Sequence, residues 1–207
     1  MSYRSISDII ALMIVWPVTL TGQVVRLEPL TIEHTADLTL AGQDESIWQY
    51  MLYGSIHTHD QIRAWIQDLL DRQKAGTDLP FAVVLLKTGR AIGATRYLEI
   101  RPEHRGLEIG GTWYAVDYQR TPVNTECKYL LLKHAFEALG CIRVQFKTDL
   151  RNERSQRALY RIGAIKEGIL RNHMIMPDGT FRDSVYYSIL ASEWPKVKTR
   201  LEEMMKR

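Results

Sequence analysis

Between Leu107 and Thr148 the hydrophobic period changes twice, and that change constrains the fold more than any other feature of the chain. Leu107 to Val116 reads as a strand. Val123, Cys127, Leu131, Ala135, Ala138 and Leu139 then recur at helical spacing, and Gly140 stops the run in the manner of a C′ glycine. Ile142 to Thr148 alternates again, with Ile142, Val144 and Phe146 on one face. Strand, helix, strand over so short a stretch is a crossover unit, so the two strands are expected as parallel neighbours. Where such strands diverge, the sheet offers a crevice at their carboxyl ends.

The turn between the first strand and the helix falls at that crevice. A helix leaves its first four N–H groups unpartnered and carries partial positive charge at the same end, so a diphosphate can sit there. Two residues suit the N-cap. Thr121 would place Pro122 at the first helical position, where its missing N–H costs nothing, and Asn124 is the other choice. Glu126 in the first turn suits the dipole in either case.

Around this unit the chain alternates helices and hairpins. Val24 to Leu30 is a first strand, after which Thr31 caps a helix with His34 in the box position and Gly42 at its end. A short helical piece at Glu45–Met51 precedes a loop carrying His57 and His59. Ile62, Trp65, Ile66, Leu69 and Leu70 then mark an amphipathic helix from Asp60 to Lys74. Phe81–Leu86 and Ala91–Ile100 form a hairpin, and a polar turn at Arg101–Gly106 leads into Leu107. Past the crossover, Asn152 or Asp149 starts a helix with Ser155, Ala158, Leu159 and Ile162 as its stripe. Ala164–Met176 and Phe181–Leu190 make a last hairpin, and Trp194-Pro195 opens a charged helix. The fold class is therefore mixed α+β, a mostly antiparallel twisted sheet of about seven strands with one central parallel pair and helices on both faces.

At 207 residues, the expectation is an N-terminal extension over residues 1–16 and a single domain over residues 17–207. Ile9 to Val18 has an apolar stretch that resembles a signal-peptide core. It is too short to span a bilayer and is interrupted by Pro17, with no small-residue cleavage site after it. Met13 is an alternative start. A net charge of +3, with basic and acidic residues interspersed, argues against nucleic acid as a partner. Cys127 and Cys141 lack metal-site spacing, so no metal is expected, and both read as buried small hydrophobes suited to a reducing cytoplasm.

The order of elements and two segments resemble the GCN5-related N-acetyltransferases, and within them the ribosomal-protein N-terminal acetyltransferases of the RimJ/RimL-like branch. Asn152-Glu153-Arg154-Ser155-Gln156-Arg157-Ala158-Leu159-Tyr160-Arg161-Ile162-Gly163-Ala164 is similar to the family's Asn-x-x-Ala/Ser-x-x-Leu-Tyr-x-Lys/Arg-x-Gly-Phe segment, with Ala164 in place of the aromatic. Glu108-Ile109-Gly110 with Trp113 is similar to the branch's fourth-strand motif. The family's pyrophosphate signature, Gln/Arg-x-x-Gly-x-Gly/Ala, meets Gln119-Arg120-Thr121-Pro122-Val123-Asn124, which keeps the Gln and loses both glycines. Asn124-Thr125-Glu126 resembles a variant within the branch. Pro122 is the departure, because it deletes an amide and forbids positive φ.

The resemblance implies an enzyme that moves acetyl from acetyl-CoA to a primary amine, of a protein N-terminus or a small molecule, by direct attack in a ternary complex, as monomer or homodimer. It implies a cofactor cradle of Gln119 with the amides of Arg120, Thr121, Val123, Asn124 and Thr125, and backbone N–H groups at Ala115 and Val116 for the thioester oxygen. Tyr160 or Ser155 would serve the leaving thiolate, and Asn152 and Ser155 the pantetheine arm. Glu108 and Glu99 are the carboxylates placed to act as base. Strand parity sets Glu108, Gly110, Thr112 and Tyr114 on one face and Ile109, Gly111 and Trp113 on the other, either of which could line the crevice. Trp48, Trp65 and Trp113 read as core, Trp113 also as a wall of the acceptor pocket. The loop at Gly54–Asp60, the Arg101–Gly106 turn and the last hairpin would shape that pocket. A second reading of the same loop is a binding protein that kept the fold and lost tight CoA affinity through Pro122.

Overall fold

The structure, a computed structural model, describes residues 13–206. The expected extension and the signal-like stretch lie outside the described residues as far as residue 12. Eight strands form one sheet: β1 (Leu20–Thr21), β2 (Val25–Pro29), β3 (Leu79–Leu85), β4 (Arg90–Arg101), β5 (Gly106–Tyr114), β6 (Arg143–Asp149), β7 (Ile165–Ile175) and β8 (Phe181–Leu190). Their order is β1-β2-β3-β4-β5-β6-β8-β7, antiparallel except for the β5/β6 pair. The strand beyond the expected seven is β1, two residues long and too short to carry a periodic signal.

Helices α1 (Thr35–Ala41) and α2 (His59–Lys74) cover one face through Leu38, Ile62, Trp65, Ile66 and Leu69, which pack with Ala82, Val84, Ala94 and Trp113 of the sheet. Helices α3 (Pro122–Lys133), α4 (Glu153–Ile162) and α5 (Trp194–Met205) cover the other. Cys127, Leu131, Leu159, Ile162, Val197 and Leu201 meet Ile109, Val144, Phe146 and Val185 there. The caps follow the residues: the Thr31 amide donates to His34 Nδ1 at 3.0 Å, and Thr58 and Gln61 form a capping box on α2. The expected helix at Glu45–Met51 shortens to a single 3-10 turn over Glu45–Ile47, capped by Asp44. A π turn at His134–Ala138 extends α3 before Gly140, whose φ of +64° ends the run.

Ile142 does not share a buried face with Val144 and Phe146. It lies one residue before β6 and is 50% exposed, with its N–H and C=O bonded to Arg105 and Ala191. Met13 is buried against Cys141, its Sδ 3.3 Å from Sγ.

One carboxylate ties the α3 layer to the sheet edge. Glu126 does not serve the helix dipole; it accepts from the backbone amides of Gln23, Val24 and Val25 at 2.7, 2.8 and 2.8 Å. The turn it grips leaves no room at Gly22, where an added Cβ would stand 2.3 Å from Glu126 Cδ.

Candidate active site

The parallel strands β5 and β6 pair over only three rungs, Gly106 with Arg143, Leu107 with Val144 and Glu108 with Gln145. Beyond Glu108 both continue without each other, β5 to Tyr114 and β6 to Asp149. The edge of β5 that faces β6 thus has no strand partner over its last residues, and the two strands part at their carboxyl ends, where the crossover unit puts a crevice.

A bulge lies in the same stretch of β5, on its β4 side. Ala94 pairs with Trp113 and Arg96 with Gly110, so Gly111 and Thr112 together oppose Thr95, with Gly111 at φ +57°. The extra residue breaks the simple alternation read from the sequence. Ile109, Thr112 and Tyr114 face α3, whereas Glu108 and Trp113 face the opposite side. A residue at positive φ is what the glycine supplies here, and an added Cβ would also press on the Arg96 guanidinium at 3.1 Å.

Glu108 sits at the root of the crevice, buried, on the last rung before the strands part. Gln145 Nε2 donates to its Oε2 at 3.0 Å, Arg101 donates to Gln145 Oε1 at 3.0 Å, and Lys147 Nζ is 3.7 Å from the carboxylate. Burial pushes the carboxyl above its ordinary value, and the Lys147 charge and the Gln145 hydrogen bond oppose the rise. Glu99 is exposed, at φ +48°, in an irregular stretch beside the closed end of the strand pair, away from the crevice mouth.

On the other wall, Thr121 is the N-cap of α3. Its Oγ1 accepts from Val123 N at 3.4 Å and donates to the Tyr118 carbonyl at 2.7 Å. Pro122 takes the first helical position, so no positive φ is required of it. The left-handed residue of the loop is Arg120, at φ +59°. With the cap at Thr121, the amide of Thr125 is the first with a helical acceptor, which leaves Thr121 and Asn124 without one and Val123 with only the long bond to the cap hydroxyl. Asn124 Oδ1 accepts from Tyr114 OH at 3.3 Å. Gln119 is a strut: Nε2 donates to the Tyr114 carbonyl at 3.2 Å while Oε1 accepts from Arg154 Nη1 at 2.5 Å. The Ala115 amide is occupied by the Ile92 carbonyl at 2.8 Å, and Val116 opens a 3-10 turn over Val116–Tyr118.

Helix α4 faces this loop with its basic flank. Arg154 bonds Gln119, and Arg161 Nη2 donates to Thr125 Oγ1 at 3.1 Å. These two arginines were not singled out from the sequence, although their seven-residue spacing sets them on one helical stripe. Asn152 caps α4, accepting from Ser155 N at 3.0 Å, and Ser155 is half-buried on the first turn. Tyr160 is 75% exposed, and at about 100° per residue it lies roughly 100–120° round the helix from Arg161 and Arg154.

Trp48, Trp65 and Trp113 pack ring on ring at 4.9 and 5.9 Å in the α1/α2 layer. His57 is engaged at both nitrogens, by Glu45 Oε2 at 2.6 Å and the Gly42 carbonyl at 3.2 Å, and His59 is the exposed first residue of α2. Both cysteines are buried, and burial raises Cys127 to about 12 and Cys141 to about 11. Among the described residues no three His, Cys, Asp or Glu side chains gather as a metal site, and no helix is long and apolar enough to cross a membrane.

A family model described as an acetyltransferase (GNAT) domain matches residues 25–165, from β2 to the start of β7. The chain belongs to the GNAT family of N-acetyltransferases. A solved structure from T. thermophilus, provisionally named an acetyltransferase, is 41% identical with a TM-score of 0.83, over 92% of this chain and 98% of that one. A Bacillus subtilis protein provisionally named ribosomal N-acetyltransferase YdaF is 29% identical over 169 residues, 81% of this chain and 90% of its own. The structure of Mycobacterium smegmatis RimJ in complex with CoA-disulfide shares the fold at 23% identity, with a TM-score of 0.78 over 91% of this chain and 95% of that one. These relatives carry the RimJ/RimL-like likeness, and the GNAT fold uses acetyl-CoA as its acetyl donor.

Proposed function

We propose that the chain transfers acetyl from acetyl-CoA to a primary amine by direct attack in a ternary complex, with the α-amine of a protein N-terminus as the acceptor favoured by the names of its relatives. The observation that carries this reading is the end of the β5/β6 pairing at Glu108, which sets a buried carboxylate at the root of a crevice whose far wall is the open N-terminus of α3.

In this reading the diphosphate meets the amides of Thr121, Val123 and Asn124, with the guanidinium groups of Arg120, Arg154 and Arg161 around it. The thioester lies along the unpaired edge of β5, so the β6-facing amides beyond Glu108, with Val116 at the end of the strand, meet its carbonyl oxygen. Glu108, directly or through a water, takes the proton from the acceptor ammonium, and the raised carboxyl makes it a stronger base than an exposed glutamate. The amine nitrogen bonds to the carbonyl carbon and sheds its second proton, the C–S bond breaks, and the departing thiolate is protonated through the Ser155 hydroxyl, which takes up that second proton by way of water. Asn152, whose Oδ1 is held by the Ser155 amide, turns its side-chain amide to the pantetheine arm.

The competing reading, a GNAT-fold binding protein with a weakened CoA site, draws on Pro122, which removes one N–H from the helix end. A thiol-release screen of amine and peptide acceptors decides between them. Acetyl-CoA-dependent thiol release with an amine, abolished in Glu108→Gln, is the expected result. No release with any amine, in a protein that binds acetyl-CoA, would support the binding protein.

A further inference from the structure

One buried charge beside the crevice takes no part in the mechanism above. Lys128, in the second turn of α3, is only 6% exposed, and its Nζ donates to Thr112 Oγ1 at 2.8 Å. The Thr112 hydroxyl lies in turn 2.8 Å from Thr95 Oγ1. Among the described residues no carboxylate oxygen comes within 4.0 Å of this ammonium. Glu126, two residues earlier, is turned away to the amides of Gln23, Val24 and Val25.

Burial lowers Lys128 to about 8, opposed by the neighbouring Cys127. A buried ammonium with a single hydrogen bond and no counterion costs stability, and an apolar side chain on the same helix face would avoid the cost. What Lys128 touches is therefore informative. Thr112 is the second residue of the bulge that opposes Thr95, in the part of β5 whose β6-facing edge has no strand partner. The lysine thus reaches from the coenzyme-facing helix to the one irregularity in the strand that lines the crevice.

We infer that Lys128 is a positioning residue for acetyl transfer: through Thr112 its ammonium fixes the bulge at Gly111, and it directs positive charge at the thioester carbonyl lying along that edge. The inference rests on acetyl-CoA occupying the crevice. Negative charge develops on the carbonyl oxygen as the amine attacks, and a fixed cation in a water-poor setting stabilises it. The same cation polarises the carbonyl before any acceptor arrives.

That polarisation can be read directly. Acetyl-CoA labelled with 13C at the thioester carbonyl is bound to the wild type, Lys128→Met and Thr112→Val, with affinities measured by calorimetry and stability by thermal melting. The bound carbonyl resonance of the wild type is expected downfield of free acetyl-CoA. In both variants it returns most of the way to the free position, with Kd within about threefold of wild type, while Lys128→Met melts at the same or a higher temperature because a buried charge has gone. With an amine that the enzyme accepts, kcat falls by about 10- to 100-fold in each variant, and the double variant is no worse than the worse single. A wild-type resonance in Lys128→Met would overturn the inference, as would a lost shift accompanied by a lower melting temperature in both variants, which marks a structural role alone. Absence of acetyl-CoA binding to the wild type would show in the calorimetry and remove the crevice reading itself, and this inference with it.

Discussion

Gln145 donates to Glu108 at 3.0 Å across the last rung that β5 and β6 share, so the residue that ends the pairing also holds the carboxylate at the crevice root. As a base Glu108 must be ionised, and burial raises its carboxyl, so turnover is expected to fall as pH drops through that raised value. Gln145→Leu removes a donor that favours the carboxylate and shifts the acid limb of the kcat profile to higher pH. Glu108→Gln lowers kcat by about 100-fold or more. The linkage has the opposite sign for folding: stability declines as pH rises from the ordinary glutamate value through the raised one. An acid limb unmoved in Gln145→Leu would contradict this assignment.

Glu126→Ala leaves three backbone amides at Gln23, Val24 and Val25 without their acceptor. Only the Val25 donor is buried, those of Gln23 and Val24 lying nearer solvent, and a buried donor stranded in this way costs about 1–3 kcal/mol, so a loss of about 2–3 kcal/mol is expected in chemical denaturation. A loss under about 1 kcal/mol would mean that water replaces the carboxylate freely.

Ser155 and Tyr160 differ in setting, because Ser155 is half-buried on the first turn and Tyr160 is 75% exposed. Ser155→Ala is expected to lower kcat about tenfold or more with little change in acetyl-CoA affinity, whereas Tyr160→Phe keeps kcat within about twofold. Equal losses in the two variants would return the thiolate's proton to the tyrosine.

Much of this was legible in the sequence. The crossover unit and the amphipathic stripes follow from local spacing, and Thr121 and Asn152 are each one of two caps that the sequence offers. What escaped was set by contacts distant in the chain. Glu126 looks like a dipole residue until a turn about a hundred positions earlier comes to rest on it. The bulge at Gly111 reverses the facing of Thr112 relative to Glu108, and no local pattern announces the extra residue, since Gly110-Gly111 fits a plain strand equally well. Lys128 lies on a stretch of α3 where a lysine reads as a solvated charge.

The proline at the helix end is open to a simple exchange. Pro122→Gly restores an N–H at the first helical position, and a hydrogen bond to a charged acceptor contributes about 1.5–3 kcal/mol, so acetyl-CoA affinity is expected to rise about tenfold or more. The unfolded chain gains freedom at the same time, which lowers stability by about 0.4–1 kcal/mol. Unchanged affinity would place that amide away from the phosphate.

The central claim, that acetyl-CoA sits with its diphosphate on the open end of α3, is tested most directly by calorimetric titration of the wild type beside Asn124→Pro, which deletes a first-turn amide that has no helical acceptor. The account predicts one site per chain in the wild type and an affinity about tenfold or more weaker in the variant. Equal affinities, or no heat of binding to the wild type at millimolar acetyl-CoA, would contradict it.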